Sequence, residues 1–182
     1  MRKYISPAVA LLFALTLSCG GSKEAEVKNT KPQETTEVAQ GPIADREWSY
    51  KYNELLDGHQ YEIAIRRYSN PELPLIKDEL GQEYYDNSVE INIQRDAKHF
   101  YSKTFTKDAF WNFLSDTYKT NSILQGIAFD KSDAEGLHFG AQIGLPDGEG
   151  GPAFIVTISK QGMMSIVRDH NQDTQGEGFV VN

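Results

Sequence analysis

Hydrophobic and polar residues alternate along most of the chain after residue 46, with the period of two that is typical of β-strands. Val89, Ile91 and Ile93, each followed by a polar residue, give the clearest example. Similar runs begin near Trp48, Tyr61, His99, Ile123, Leu137, Phe154 and Met164. Because the loops between most of these runs are short, the strands are expected to pair antiparallel. The pattern predicts a mainly β (α+β) fold: an antiparallel meander of about eight strands that forms a curved sheet, a sandwich or a partly open barrel.

One segment departs from this period. Its apolar residues fall at helical spacing: Phe110, Phe113 and Leu114. Thr106 precedes them, and threonine is a common residue at a helix N-cap. We therefore predict one helix over residues 107–118, packed on a sheet face with its aromatic stripe in the core. The stretch 70–87 has no sustained period, and we predict a long, partly buried connection there.

The N-terminal region indicates export. Arg2 and Lys3 precede an apolar run, residues 7–17, that is too short for the roughly 20 residues of a membrane span. This arrangement is typical of a secretory signal peptide. The chain's one cysteine, Cys19, lies where the run ends, separated from it only by Ser18. A plain signal peptide that ends near Ser18 is the alternative, and it would leave Cys19 as a free thiol in an oxidising compartment.

The segment Leu15-Thr16-Leu17-Ser18-Cys19 resembles the lipobox of bacterial lipoproteins, although the strict pattern prefers Leu where this chain has Thr16. The resemblance implies acylation of Cys19, with palmitate among the acyl chains, and an anchor in the bacterial outer membrane. Lys23-Glu24-Ala25-Glu26 resembles the surface-export signal of Bacteroidota lipoproteins, so the domain is expected to face either the periplasm or the outside. A solvated tether explains the same residues equally well.

Three regions follow from these patterns. Residues 1–18 are predicted to be a lipoprotein signal peptide, and residues 19–45 a flexible tether after the lipidated Cys19. This tether has almost no large apolar residues with which to offset its ordering entropy. Residues 46–182 are predicted to form a single β-rich domain.

Three short runs in the domain resemble a family of small, uncharacterised Bacteroidota lipoproteins, a domain of unknown function. They are Leu73-Pro74-Leu75-Ile76-Lys77-Asp78 to Gly81, Tyr85-Asp86-Asn87, and Lys103-Thr104-Phe105-Thr106-Lys107. The resemblance covers most of the chain after the tether. It implies an anchored envelope protein and supplies no catalytic residues.

Composition and charge exclude several classes of protein. The chain has 182 residues and a formal charge of −8, whereas a nucleic-acid-binding surface needs a basic face. No nucleic-acid partner is therefore expected. A single cysteine excludes a disulfide framework and a zinc ribbon.

Standard catalytic motifs are absent from the sequence, including the nucleophile elbow, the zinc-protease motif and the phosphate loop. No catalytic residue is predicted, and we expect a protein that is not an enzyme. The histidines at 59, 99, 138 and 170 lack ligand spacing, so each is expected at the surface or at a strand edge. No cofactor is expected, with calcium as the one candidate.

The calcium hypothesis rests on acidic residues near the C-terminus. Asp169, Asn171 and Asp173 recur at every second position, which is typical of calcium loops. If the last four strands form a meander, the loop 147–151 lies at the same end of the sheet as these residues. The full candidate set is Asp147, Glu149, Asp169, Asn171, Asp173 and Glu177. A polar, fraying C-terminus is the alternative explanation.

Aromatic residues offer a second kind of site, with packing in the core or on a strand face as the alternative for most of them. Trp48, Tyr50, Tyr52, Tyr84 and Tyr85 could line a groove for a glycan or a peptide. The favoured function is a membrane-anchored, non-enzymatic envelope module that binds a protein, peptide or glycan. A carboxylate-based hydrolase and an accessory subunit or inhibitor of another envelope protein are the alternatives.

Overall fold

The computed structural model describes residues 41–146, 148 and 150–173. Within these residues the protein is mostly β, and its two main sheets are antiparallel. The strands are β1 (Trp48–Leu56), β2 (His59–Ser69), β3 (Ile76–Lys77), β4 (Glu83–Tyr84), β5 (Asn87–Arg95), β6 (Lys98–Phe105), β7 (Ile123–Ser132), β8 (Gly136–Gly144), β9 (Ala153–Ser159) and β10 (Met164–Arg168). The mainly β prediction, with antiparallel pairing, is confirmed.

The first sheet has the strand order β1-β2-β5-β6, and the second has β10-β9-β8-β7. Neighbours in each sheet are also neighbours along the chain, except that a small ribbon, β3–β4, interrupts the first sheet's meander. The β1–β2 turn, Asp57-Gly58, has positive φ at both residues (51° and 79°), as a two-residue hairpin turn requires. Within the described residues the sheets do not close into a barrel.

Both sheets contribute one face to a shared hydrophobic core. Ile63, Ile65 and Ile91 from the first sheet belong to the same buried cluster as Phe139 and Val156 from the second. On β2 and β5 the buried residues alternate with less buried, mostly polar ones such as Glu62, Glu90 and Asn92. The period-two pattern of the sequence therefore follows from burial of one face of each strand.

The single helix predicted over residues 107–118 is wrong in its details. A 3-10 helix (Lys107–Phe113) is followed by α1 (Asp116–Asn121). Leu114 and Ser115 between them have extended backbone, with ψ of 141° and 162°. This break leaves Phe110 and Leu114 in the core but exposes Trp111 and Phe113, so only part of the aromatic stripe is buried. A second short helix, α2 (His170–Asp173), follows β10.

The stretch 70–87 is a long connection, as predicted, and it contains the β3–β4 ribbon. Ile43 extends this ribbon, because its N–H donates to the Glu83 carbonyl at 2.8 Å and its carbonyl accepts the Tyr85 N–H at 2.9 Å. The domain's contacts thus begin before residue 46. None of the helices in the described ranges is long and apolar enough to cross a bilayer.

Candidate functional site

A buried carboxylate ties the two sheets together at one end of the core. Asp86 lies between β4 and β5 and is only 5% exposed. Its Oδ1 accepts the backbone N–H of Asn87 at 2.7 Å and that of Leu124, on β7, at 2.8 Å. The side chain therefore satisfies two backbone donors that would otherwise be buried without partners.

Lys107, the first residue of the 3-10 helix, pairs with this carboxylate. Its Nζ lies 3.7 Å from Asp86 Oδ2 and donates to the Ser122 carbonyl. Burial raises the pKa of Asp86 above its ordinary value, although the two N–H donors and Lys107 act in the opposite direction. Burial likewise lowers the pKa of Lys107, opposed by the charges of Asp86 and Asp108. Desolvation therefore dominates at both members of the pair.

Polar contacts continue from this pair toward the first sheet. Asn87 is fully buried, and its Nδ2 donates to the Leu124 carbonyl at 3.0 Å and to Asp45 Oδ2 at 2.8 Å. Asp45 also pairs with Arg67 at 3.3 Å, and Arg67 donates to the Gln125 carbonyl on β7. These groups form a polar seam, residues 45, 67, 86, 87 and 107, between the start of β5 and the start of β7.

A cleft of about 310 Å³ opens onto the Asp86–Lys107 pair. Apolar side chains from the chain before β3 form one wall, and the residues around the 3-10 helix and α1 form the other. The lining residues are Leu73, Pro74, Leu75, Ile76, Asp86, Thr106, Lys107, Asp108, Trp111, Lys119 and Thr120. Trp111 is 44% exposed, and Lys119 Nζ lies 5.5 Å from the centre of its ring system. Such a mixture of an aromatic wall and convergent charged groups is common in binding sites.

A wider cleft of about 650 Å³ lies on the other side of α1. It is lined by Lys77, Asp78, Glu79, Leu80, Thr117, Asn121, Leu145, Pro146 and Gly148. Leu80 at its rim is 92% exposed. No residue of α1 is fully buried, so this short helix forms the divide between two surface clefts.

The predicted aromatic groove is divided between two elements. Trp48, Tyr50 and Tyr52 form a ladder along β1, with ring centroids 5.3 Å and 6.4 Å apart. Trp48 and Tyr52 pack against the core, and only Tyr50 is largely exposed. Tyr84 lies on the separate β3–β4 ribbon, where its Oη donates to Asp78 Oδ2 at 3.3 Å. Tyr85 follows it directly in the chain.

Most of the predicted calcium ligands lie outside the described residues: Asp147, Glu149, Glu177 and the side chain of Asp173. Cys19 lies outside them as well. The meander on which the hypothesis depends is present, and Asp169 N–H donates to the Ala153 carbonyl at the start of β9. Asp169 Oδ1 accepts the Asn171 N–H at 3.0 Å. Calcium binding and lipidation remain predictions.

A cluster that sequence reasoning missed lies at the β7–β8 turn. Asp133, Glu135 and His138 place one ligand atom each within 4.8 Å of the others. The expectation that every histidine lies at the surface or a strand edge is wrong for His138, which is 6% exposed on the interior strand β8. The spacing Asp-x-Glu-x-x-His was the available signal. The polar seam was harder to find, because its members are far apart in the sequence.

These features define a mainly β domain with two open sheets, a shared core and a cleft over a buried ion pair. A family model, Domain of unknown function (DUF4738), matches residues 24–166, and the chain belongs to this family. A search of the curated proteins found no match. The family assignment agrees with the resemblance to an uncharacterised family and leaves the specific role open.

Proposed function

We propose that this protein is a bacterial envelope lipoprotein whose β domain binds a partner through the 310 Å³ cleft. The proposed anchor is an acylated Cys19 in the outer membrane, with the domain facing the periplasm or the outside. The support for this anchor lies in the sequence: Arg2 and Lys3, the apolar run 7–17, and the position of Cys19 two residues after the end of that run. Two or more acyl chains would make the attachment stable, whereas one chain binds only marginally.

The cleft is the single observation that carries the binding function. Its floor is the buried Asp86–Lys107 pair, and its rim offers an aromatic face at Trp111 and a cation at Lys119. The three runs that resemble the lipoprotein family all contribute residues to its lining, through positions 73–76, 86, and 106–107. The three runs are distant from one another in the sequence, and the fold brings residues of each into the same cleft.

We propose a peptide segment as the occupant. Exposed apolar side chains line the two clefts, where a small polar ligand would not need them. They are Leu75 and Trp111 in the smaller cleft and Leu80 in the wider one. Aromatic and aliphatic rims of this kind are typical of protein-recognition sites. The protein would then act as a binding module or as an accessory subunit of an envelope partner.

Hydrolysis is the second candidate, because Asp86 and Asp108 line the same cleft and burial raises the pKa of Asp86. The contacts of Asp86 favour a structural role. Its Oδ1 holds two backbone N–H groups, and its Oδ2 faces Lys107. A carboxyl engaged in this way is poorly placed to exchange a proton with a substrate.

The anchor is tested by metabolic labelling with an alkyne analogue of palmitate, followed by fractionation. The wild-type chain should be labelled and should sediment with membranes. Cys19→Ala should lose the label and leave the membrane fraction, while the neighbouring Ser22→Ala should behave as wild type. An unlabelled wild-type chain would rule out the anchor.

The cleft is tested by NMR, because the chain has two tryptophans, one in the cleft and one on β1. Titration with a panel of short apolar peptides should shift the indole N–H signal of Trp111 and leave that of Trp48 unchanged. Trp111→Ala should abolish the peptide-induced shifts of other cleft residues. Shifts with oligosaccharides alone would favour a glycan ligand, and no shift at Trp111 with any probe would contradict the proposal.

A further inference from the structure

We propose that Asp133, Glu135 and His138 form a binding site for a divalent cation of the zinc class. The three ligand atoms lie within 4.8 Å of one another at the turn between β7 and β8. Asp86 contacts the first residues of β7, whereas Asp133 follows its last residue, and ten strand residues span about 30 Å. The site is therefore separate from the cleft and does not depend on the function proposed for it.

The buried imidazole carries the inference. The His138 side chain is 7% exposed, and its Nε2 lies 2.7 Å from Asp133 Oδ1. Its Nδ1 lies 3.0 Å from the Thr157 hydroxyl on the neighbouring strand β9. Histidines that bind metals usually have their second ring nitrogen held by a hydrogen bond, which fixes the orientation of the ring. Without a cation, Nε2 donates its proton to Asp133 Oδ1. When a cation binds, the ring proton can instead lie on Nδ1, where the Thr157 hydroxyl can accept it, and Nε2 then presents its lone pair to the metal.

The two carboxylates supply the charge that a divalent ion needs. The Asp133 side chain is 40% exposed and Glu135 is exposed, so an ion in solution can reach both carboxylate groups. Lys131 Nζ lies 3.6 Å from Asp133 Oδ2, and its exposed side chain can turn into solvent when a divalent ion takes its place. Two solvated carboxylates alone would indicate an ordinary turn. A buried histidine directed at them is what distinguishes this one.

The donor set selects the kind of ion. Calcium and magnesium prefer oxygen ligands, whereas zinc and its neighbours accept imidazole nitrogen together with carboxylate oxygen. Zinc ligands lie about 2.0–2.2 Å from the metal. Glu135 must therefore move inward and the Asp133–His138 contact must widen slightly, which the exposed side chain of Glu135 permits. Three protein ligands leave a fourth position for water.

The test uses the full-length chain, purified in detergent, treated with a chelator and then titrated with ZnCl₂ by calorimetry. We expect one zinc ion to bind with micromolar affinity or better, and excess CaCl₂ not to displace it. Glu135→Ala should weaken binding by about tenfold or more without changing the melting temperature in chelator. His138→Gln should weaken it at least as much.

The matched control is His59→Gln. His59 Nδ1 lies 2.6 Å from Asp96 Oδ2, which gives a similar His–Asp pair. Among the residues that the structure describes, no third ligand completes a cluster there. His59→Gln should therefore bind zinc as wild type does. Failure of the wild-type chain to bind zinc below millimolar concentration, or unchanged binding in Glu135→Ala, would overturn the proposal. Glu135→Ala decides the matter if the buried His138 variant fails to fold.

Discussion

Asp86 and Asp133 lie near opposite ends of β7 and make similar contacts, yet their pKa values move in opposite directions. Each carboxylate accepts two hydrogen bonds at one oxygen: Asp86 from the N–H groups of Asn87 and Leu124, Asp133 from the Glu135 N–H and the His138 ring. Each also faces a lysine, at 3.7 Å and 3.6 Å. The pKa of Asp86 is raised, whereas that of Asp133 is lowered to about 2.

Burial accounts for the difference. Asp86 is 5% exposed, and its loss of hydration exceeds the combined effect of its donors and of Lys107. At the half-exposed Asp133 the hydrogen bond from His138 has the largest effect, because hydration of the charge is largely kept. The comparison shows that hydrogen bonds lower the pKa of a carboxyl group below its ordinary value only where their effect exceeds the cost of lost hydration.

The largest expected effect comes from removing Asp86. Asp86→Ala leaves Lys107 buried without its partner and removes the acceptor for two backbone N–H groups. The free energy of unfolding should therefore fall by about 3–5 kcal/mol. Urea denaturation followed by circular dichroism measures the loss. Asp108→Ala, at an exposed position beside the same pair, is the control and should change stability by less than about 0.5 kcal/mol. If both variants changed the free energy of unfolding by the same small amount, the polar seam would contribute little to stability.

A double variant separates charge from hydrogen bonding in the seam. Asp86→Asn keeps an oxygen for the two N–H groups, and Lys107→Met removes the opposing charge with little change in shape. Either single variant leaves one buried charge unpaired, but the double variant leaves none. We expect a favourable coupling of about 1–3 kcal/mol in the double-mutant cycle. Additive losses would mean that the two charges do not interact.

At the other end of β7, the Asp133 turn is held by Gly136. Its φ is 149°, and a Cβ there would lie 2.2 Å from the Ile158 carbonyl oxygen. Gly136→Ala should destabilise the protein by about 1–3 kcal/mol, because the strand pairing of β8 with β9 must shift. Gly140→Ala, on the same strand with open space around it, is the control. A thermal melt that does not distinguish the two variants would contradict this explanation.

The smallest expected effect is a pH dependence of opposite sign at the two carboxylates. The folded pKa of Asp133, about 2, is below its ordinary value of 3.8, so its contribution is present above pH 4 and is lost as the pH falls toward 2. Asp86 has a raised pKa, so the part of the stability that depends on its protonated form is present at low pH and is lost as the pH rises through the folded pKa.

Asp133→Asn should therefore reduce the acid-induced loss of stability between pH 4 and pH 2, measured as the shift of the urea midpoint. Asp86→Asn should not reduce it. Asp116→Asn, at a fully exposed carboxylate, controls for the change in net charge. If the urea midpoint of Asp133→Asn fell with pH as that of the wild type does, the proposed difference between Asp133 and Asp86 would be wrong.

Sequence reasoning found the strands well and the helical segment poorly. Alternation reports burial of one face, and it correctly located runs such as Val89–Ile93 within β5. The helical spacing of Phe110 and Leu114 was equally regular, but the chain satisfies it with a 3-10 helix and an extended break. Periodicity over a single short segment shows which side chains are buried and does not fix the backbone that buries them.

The sequence by itself determined the β class and the antiparallel pairing of successive strands, because these depend on neighbours along the chain. Only the tertiary structure decided which charges are buried. Asp86 meets Leu124 across 38 residues and Lys107 across two strands. His138 has no local feature that marks it as an interior residue. The pKa of a group depends on how well its charged form is hydrated, and the tertiary structure determines which groups remain accessible to water.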